Sequence, residues 1–348
     1  MLRSFRFATL LALAVVVPSL SYAVAAPKRA PAAKPIKVTF VTDWKAQAEH
    51  GGYYQAVATG LYAKAGLDVT IKQGGPSVNT PQLIAAGAVD FAMASNSFQP
   101  MNLAAVDGDA VAVAAIFQKD PQVLLTHPRD DIKSIADMKG KPIMVSDATV
   151  STWWIWVKSR YGFTDSQIRK YTFNLAPFLS DKNAIQQGYV TSEPYTIETQ
   201  GKIKPNVYML ADYGFPGYSN MILARGKDVR ERPKVVQAFV TATIQGWASY
   251  LNGNPKPAND LILHDNPEMT ADIIAQAIVQ FKTRGIVQGG DAEKLGIGAM
   301  TDARWKTFYD VMSASKVYDP KLDYKKAYST AFVNKGLGVA KPAAGKSH

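Results

Sequence analysis

The sequence predicts an α/β protein folded as two lobes joined by a hinge. Strand-like runs and helix-like runs take turns along residues 36–118 and again along 121–213, as in mostly parallel sheets covered by helices. Pro and Gly then gather at "KDPQ" (119–122) and "YGFPGYS" (213–219), where the chain would cross between the lobes. After the second crossing one strand, "NMILARG" (220–226), precedes an almost wholly helical stretch from about 233. The predicted segments are 36–120 for lobe 1, 121–213 for lobe 2 and 214–335 for the return to lobe 1.

The elements follow in order. "IKVTFVT" (36–42) alternates β-branched and polar residues as a strand does. Tyr53, Val57, Gly60 and Leu61 then fall on one helical face, and Gly66 is read as the end of that helix. "LDVTI" is a strand, and Thr80-Pro81 starts a helix that Gly87 closes. "VDFAMAS", "FQPMNLAAV" and "AVAVAAIFQ" continue as strand, helix and strand. In the second series "QVLLT", "KPIMV", "KYTFNL", "QQGYVT" and "NVYMLAD" read as strands. "STWWIWVKSRYGF" and "EPYTIETQG" read as helices between them. In 233–251, Val236, Phe239, Val240, Trp247 and Leu251 share one face.

The chain ends set the compartment. "MLRSFRF" carries two arginines and no acid, residues 8–17 are apolar, Pro18 breaks the run, and Ala23-Val24-Ala25 offers a small-residue cleavage site. That order is a secretory signal peptide, and its apolar run is far short of the roughly 20 residues a bilayer takes. Residues 1–25 are therefore expected to be removed, 26–35 to be a flexible leader and 336–348 a flexible tail, leaving a periplasmic monomer. The 348 residues contain no cysteine, which excludes disulfides, thiolate metal sites and cysteine nucleophiles. Net charge is +11, but the basic residues are scattered, with no run longer than Lys28-Arg29 or Lys325-Lys326. Nucleic acid is therefore not an expected partner.

In open α/β sheets a ligand binds outside the carboxyl ends of the strands. Two such sheets facing each other place it in a cleft that hinge bending closes. The tip residues become the site candidates: Trp44 after the first strand, His50 and Tyr53 around the Gly51-Gly52 pair, and Ser95 and Asn96 in "AMASNS". The two glycines are read as letting backbone N–H groups approach a ligand. The second lobe offers Asp147, Thr152, Trp153 and Glu193. Trp153, Trp154 and Trp156 cannot share a helical face, so one, with Trp153 preferred, is expected at the cleft.

The same residues carry a resemblance. "EHGGYYQAVATGLYAKAGLDVTIKQGGPSVNTPQLIAAGAVDFAMAS", "IADMKGKPIMV" and "GYVTSEPY" resemble substrate-binding proteins of bacterial ABC importers, in the thiamine-pyrimidine, sulfonate and nitrate superfamily. The resemblance covers most of 36–250. It implies the type II periplasmic binding fold, a small-molecule ligand, permease and ATPase subunits as partners, and neither cofactor nor bound metal. The His-Gly-x-Tyr element points to a pyrimidine-like heteroaromatic; a sulfonate, nitrate or taurine-like anion is the alternative. A pyrimidine-synthesis enzyme of related fold relies on a cysteine-rich motif that this chain lacks. Gly-x-Ser-x-Gly, His-Glu-x-x-His and Walker motifs are absent as well, so no enzymatic activity is expected.

Overall fold

The computed structural model describes residues 34–339. The signal peptide, nearly all of the leader, and tail residues 340–348 lie outside the described residues. Among the described residues, ten strands form two five-stranded sheets. The first holds β1 (Ile36–Val41), β2 (Leu67–Lys72), β3 (Phe91–Asn96), β4 (Ala110–Phe117) and β10 (Ser219–Arg225), in the order β2-β1-β3-β10-β4. The second holds β5 (Gln122–Thr126), β6 (Ile143–Val145), β7 (Ile168–Lys170), β8 (Ile185–Tyr189) and β9 (Asn206–Met209), in the order β7-β6-β8-β5-β9.

The two orders are the same pattern. In each sheet the fourth strand runs antiparallel to both neighbours, β10 between β3 and β4 and β5 between β8 and β9. Each of these strands is the first one laid down after the chain crosses over. It enters its sheet from the cleft side and so runs against strands that leave toward the cleft. The crossings occupy the short links between β4 and β5 and between β9 and β10. The expectation of mostly parallel sheets holds for four strands of each five.

Burial follows the pattern. Apolar β4 has a core of Ala112–Ile116 at zero exposure, as a strand covered on both faces must. The long helix Pro233–Asn252 buries Val236, Phe239, Val240, Trp247 and Leu251, with Phe239 stacked on Phe91 of β3 and Trp247 edge-on to Phe117 of β4. Three local expectations need correction. The helix after β1 is two, Gly51–Ala58 and Leu61–Lys64, because Gly60 takes φ +69° and breaks it. "KYTFNL" is not a strand; β7 ends at Lys170, and the chain beyond it leaves the sheet edge in a loop where Phe173 has φ +61°. Residues 336–338 are not loose: Gly336 N donates to Leu295 O at 3.0 Å, Ile297 N to Leu337 O at 2.8 Å, and Gln288 Nε2 to Gly338 O at 2.8 Å.

Candidate functional site

The tip of β1 is the rigid centre of the site. Asp43 follows the strand and accepts from Ser95 Oγ at 2.6 Å through one oxygen and meets His50 Nε2 at 3.2 Å through the other. Thr42 Oγ1 donates to Trp44 O at 2.7 Å, and Gly74 N donates to the same carbonyl at 3.1 Å. Gly74 must be glycine for that approach, since a Cβ there would sit 2.2 Å from Thr42 O. The loop after β2 thus clamps the loop after β1.

Gly51 and Gly52 serve a different purpose from the one expected of them. A Cβ on Gly51 would lie 2.1 Å from the Tyr250 ring, and one on Gly52 2.1 Å from the Trp247 ring. On the facing helix, a Cβ on Gly246 would lie 2.2 Å from Gly52 O. The pair lets two helices touch backbone to ring, and helix packing rather than ligand approach demands it. Tyr53 is carried into the same core: it is fully buried, its ring lies 4.5 Å from that of Phe40, and its hydroxyl donates to Asn220 Oδ1 at 2.7 Å.

Glu49 reaches across to the other lobe. It is 3% exposed, its carboxylate accepts from Thr191 Oγ1, and its own carbonyl accepts from Asn220 Nδ2 at 2.5 Å. Burial raises its pKa above the usual glutamate value, against the lowering effect of the Thr191 hydrogen bond. Glu193, half-buried at the start of the helix Glu193–Gly201, accepts from Tyr189 N at 2.7 Å and from Tyr171 Oη at 3.3 Å. Burial pushes its carboxyl up to about 7. Asp120, 2% exposed inside the first crossing, is likewise pushed up to about 7 by burial. At the tip of β8 the Tyr189 hydroxyl is held well above the usual tyrosine range, by burial first and then by the charges of Asp120, Asp43, Glu49 and Glu193.

Aromatic rings close the mouth. Trp44 lies 4.4 Å from Phe173 across the lobes, and Phe173 lies 5.1 Å from Tyr171, whose hydroxyl touches Glu193. Further contacts join the lobes, among them Tyr195 Oη to Asp272 Oδ2 at 3.0 Å, Ser159 Oγ to Ser315 Oγ at 2.6 Å and Arg284 Nη1 to Asp212 Oδ2 at 4.0 Å.

Of the residues expected at the site, Trp44, Ser95 and the fully buried His50 stand at the β1 and β3 tips of lobe 1, and Glu193 follows β8 in lobe 2. Tyr53 lies in the core instead. Asn96 turns inward and accepts from Phe98 N at 3.1 Å. Asp147 is exposed and ion-paired with Lys170 at 3.1 Å. Thr152 Oγ1 is bonded within its own turn, at 3.2 Å to both Ala148 O and Thr149 O. Trp153 is 2% exposed and packs edge-on to Trp154, and neither it, Trp154 nor Trp156 is left at a surface. The sequence reading missed Asp43, Glu49, Asp120, Phe173, Tyr189 and Thr191. Asp43 and Glu49 adjoin residues that were singled out, and a charged residue directly past a strand tip was the available signal for Asp43. Phe173 and Asp120 gave none, since one sat in an apparent strand and the other in an apparent linker.

Chemically the cleft is a set of acceptors. Among the described residues no lysine or arginine pairs with Asp43, Glu49, Asp120 or Glu193, and the imidazole of His50 is the nearest basic partner. Ser95, Asp43 and His50 resemble a hydrolytic triad only in composition. The carboxylate stands between hydroxyl and imidazole, so the histidine does not touch the serine proton, as nucleophile activation requires. No group of three or more His, Cys, Asp or Glu side chains capable of holding a metal occurs among the described residues. None of their helices is long and apolar enough to cross a membrane.

Known proteins share this organisation. Residues 47–258, more than half the chain, match the family described as NMT1/THI5 like. A riboflavin-binding protein of Chloroflexus aurantiacus is 25% identical over 338 residues, covering 94% of this chain and 95% of that one. A formylaminopyrimidine-binding protein of Halalkalibacterium halodurans is 26% identical over 250 residues, covering 69% and 73%. The periplasmic aliphatic sulphonate binding protein of Escherichia coli superposes with a TM-score of 0.63 at 14% identity, covering 85% and 92%. The fold is that of periplasmic binding proteins.

Proposed function

We propose, from the premise that the chain belongs to the NMT1/THI5-like family, that it is the solute-binding protein of an ABC importer. Its ligand is a flat heteroaromatic rich in N–H donors. It is exported, closes its two lobes on the ligand and hands it to a permease and its ATPase. The observation that carries the ligand class is that Asp43 and Glu49 of lobe 1, Asp120 of the first crossing and Glu193 of lobe 2 all lack an ion pair with lysine or arginine among the described residues, while Glu49 already bridges to Thr191 of lobe 2. Each already accepts a hydrogen bond within the protein, but none has a fixed cation beside it, and a carboxylate oxygen keeps lone pairs free for the donors of a ligand. Trp44 and the exposed Phe173, 4.4 Å apart across the lobes, add faces on which a ring can stack. The relatives named for riboflavin and formylaminopyrimidine binding agree with such a ligand. The likeness to the sulphonate binder is one of fold, and acidic groups without lysine or arginine partners disfavour an anion whenever they are ionised. No catalytic step is assigned.

Calorimetric titration with riboflavin, an aminopyrimidine and an alkanesulfonate tests this. At about 100 times Kd a true ligand stabilises the protein by roughly 2.7 kcal/mol, so melting curves report it independently. Binding of the sulfonate with neither heteroaromatic bound contradicts the proposal. Export is tested separately: mature protein from the source cell should begin near Ala26, and an intact Met1 on cytosolic protein would rule out the transport role.

A further inference from the structure

Arg304 lies outside the cleft, on the helix Asp302–Ala314, yet its guanidinium touches both crossings between the lobes. It donates to the carbonyl of Gln118 at the end of the first crossing strand, and through the same nitrogen to Gly217 O at 3.1 Å. Its Nε donates to Pro216 O at 3.3 Å, and the group lies 4.1 Å over the Tyr218 ring. No carboxylate forms an ion pair with it among the described residues, although burial lowers its pKa. A half-buried guanidinium held by three backbone carbonyls and a ring is an unusual way to hold a charge, because desolvation is ordinarily offset by a counter-ion.

Both ends of this grip are themselves anchored in lobe 1. Gln118 Nε2 donates to Ala115 O and Ala299 O, each at 2.9 Å, and Gln118 N donates to Ile286 O at 2.6 Å. Tyr218 N accepts fixation from Ser97 Oγ by donating to it at 2.9 Å, and Tyr218 Oη donates to Asp291 Oδ2 at 2.8 Å. Residues 119–121 and the stretch before Pro216 are the links left between these anchors and lobe 2. Two residues beyond Gln118 lies Asp120, and three beyond Gly217 lies Asn220, which holds Glu49. One side chain thus fixes the starting point of two walls of the cleft.

We propose that Arg304 is a positioning residue for ligand binding: by pinning both crossings to lobe 1 it sets the pivot about which the lobes close. Lysine cannot take its place, because an ammonium lacks the planar fork that reaches separate carbonyls at once. If loosening the pivot cuts the closure-competent fraction to a tenth, apparent affinity falls about tenfold with no ligand contact altered.

The test needs no ligand, so it stands or fails separately from the ligand assignment. The chain has no cysteine, so Lys64→Cys and Lys204→Cys, both exposed and one on each lobe, accept a pair of spin labels cleanly. Interlobe distances are measured in this background and with Arg304→Gln or Arg304→Lys added, each with its melting curve. The expected result is a narrow distribution for the parent. With Arg304→Gln it broadens and gains a longer-distance population, while Arg304→Lys lies between the two. A folded Arg304→Gln protein with the parent's distribution overturns the proposal. If that variant does not fold, Arg304→Lys decides it, and a distribution identical to the parent's overturns it equally.

Discussion

The two lobes share one strand order but present different kinds of wall to the cleft. In lobe 1 the tip of β1 is held by Ser95, His50 and the Gly74 loop, and behind it two glycines lock one helix onto another. In lobe 2 the edge beyond β7 carries Phe173, 42% exposed and in the left-handed region that an aromatic residue rarely adopts. Glu193 there is held by one backbone N–H and one tyrosine. The difference teaches that one wall is built to stay and the other to adjust. Lobe 1 supplies preformed acceptors, and lobe 2 supplies a ring and a carboxylate whose arrangement a ligand can change.

The largest expected effect breaks the fixed wall. Gly52→Ala places a methyl group within van der Waals overlap of Trp247 and should cost about 3 kcal/mol or more, read as a lower urea midpoint. Gly75→Ala, with nothing within 4 Å of its Cβ, is the matched control and should change stability by roughly 0.5 kcal/mol or less. Equal effects would mean that close helix packing does not set the wall.

The next concerns the acids between the walls. Asp120 has a folded pKa of about 7, raised by burial from 3.8. Its protonated form therefore contributes stability that is complete below about pH 4 and lost as pH rises through about 7. Ligand-free protein should melt at lower temperature at pH 8 than at pH 5. Asp120→Asn, which keeps an acceptor for Gln122 N, should flatten that slope in part, since burial raises Glu193 and Glu49 as well, and recover up to a few kcal/mol at pH 8. An unchanged slope would show that Asp120 is not the group responsible.

A smaller effect sharpens the adjustable wall. Phe173→Gly removes a ring but suits the positive φ, so stability should move by less than about 1 kcal/mol. Affinity for a flat ligand should drop by up to about tenfold, the magnitude of one stacking contact. A large loss of stability would make Phe173 a structural residue instead.

How much of this was legible in the sequence follows the same division. Strand and helix alternation, both crossings and the buried face of Pro233–Asn252 could be read because periodicity records burial. Trp44, His50, Ser95 and Glu193 could be read because they adjoin strand tips. Tyr53 could not be assigned correctly, since its partner Asn220 lies 167 residues away and no local pattern shows that the ring faces inward. The glycine pair was ambiguous for the same reason: close approach to a helix and close approach to a ligand both require a missing Cβ. Asp147 and Thr152 sit at strand and helix ends that look like site positions, but Lys170 and the local turn take their polar atoms. Asp120 and Arg304 act through tertiary placement alone.

The most direct test of the account is calorimetric titration of Glu193→Gln beside the parent protein, with riboflavin and an aminopyrimidine as titrants and ligand-free melting curves for both. Glu193 is the acceptor that the adjustable wall contributes; at pH 8, above the value of about 7 to which burial pushes it, the group is ionised, and a hydrogen bond to a charged group contributes roughly 1.5–3 kcal/mol. The account predicts that affinity for whichever heteroaromatic binds falls by about 10- to 150-fold, with the melting temperature little changed. Unaltered affinity for that ligand, or tighter binding of an alkanesulfonate by the variant together with no heteroaromatic binding by the parent, would contradict it.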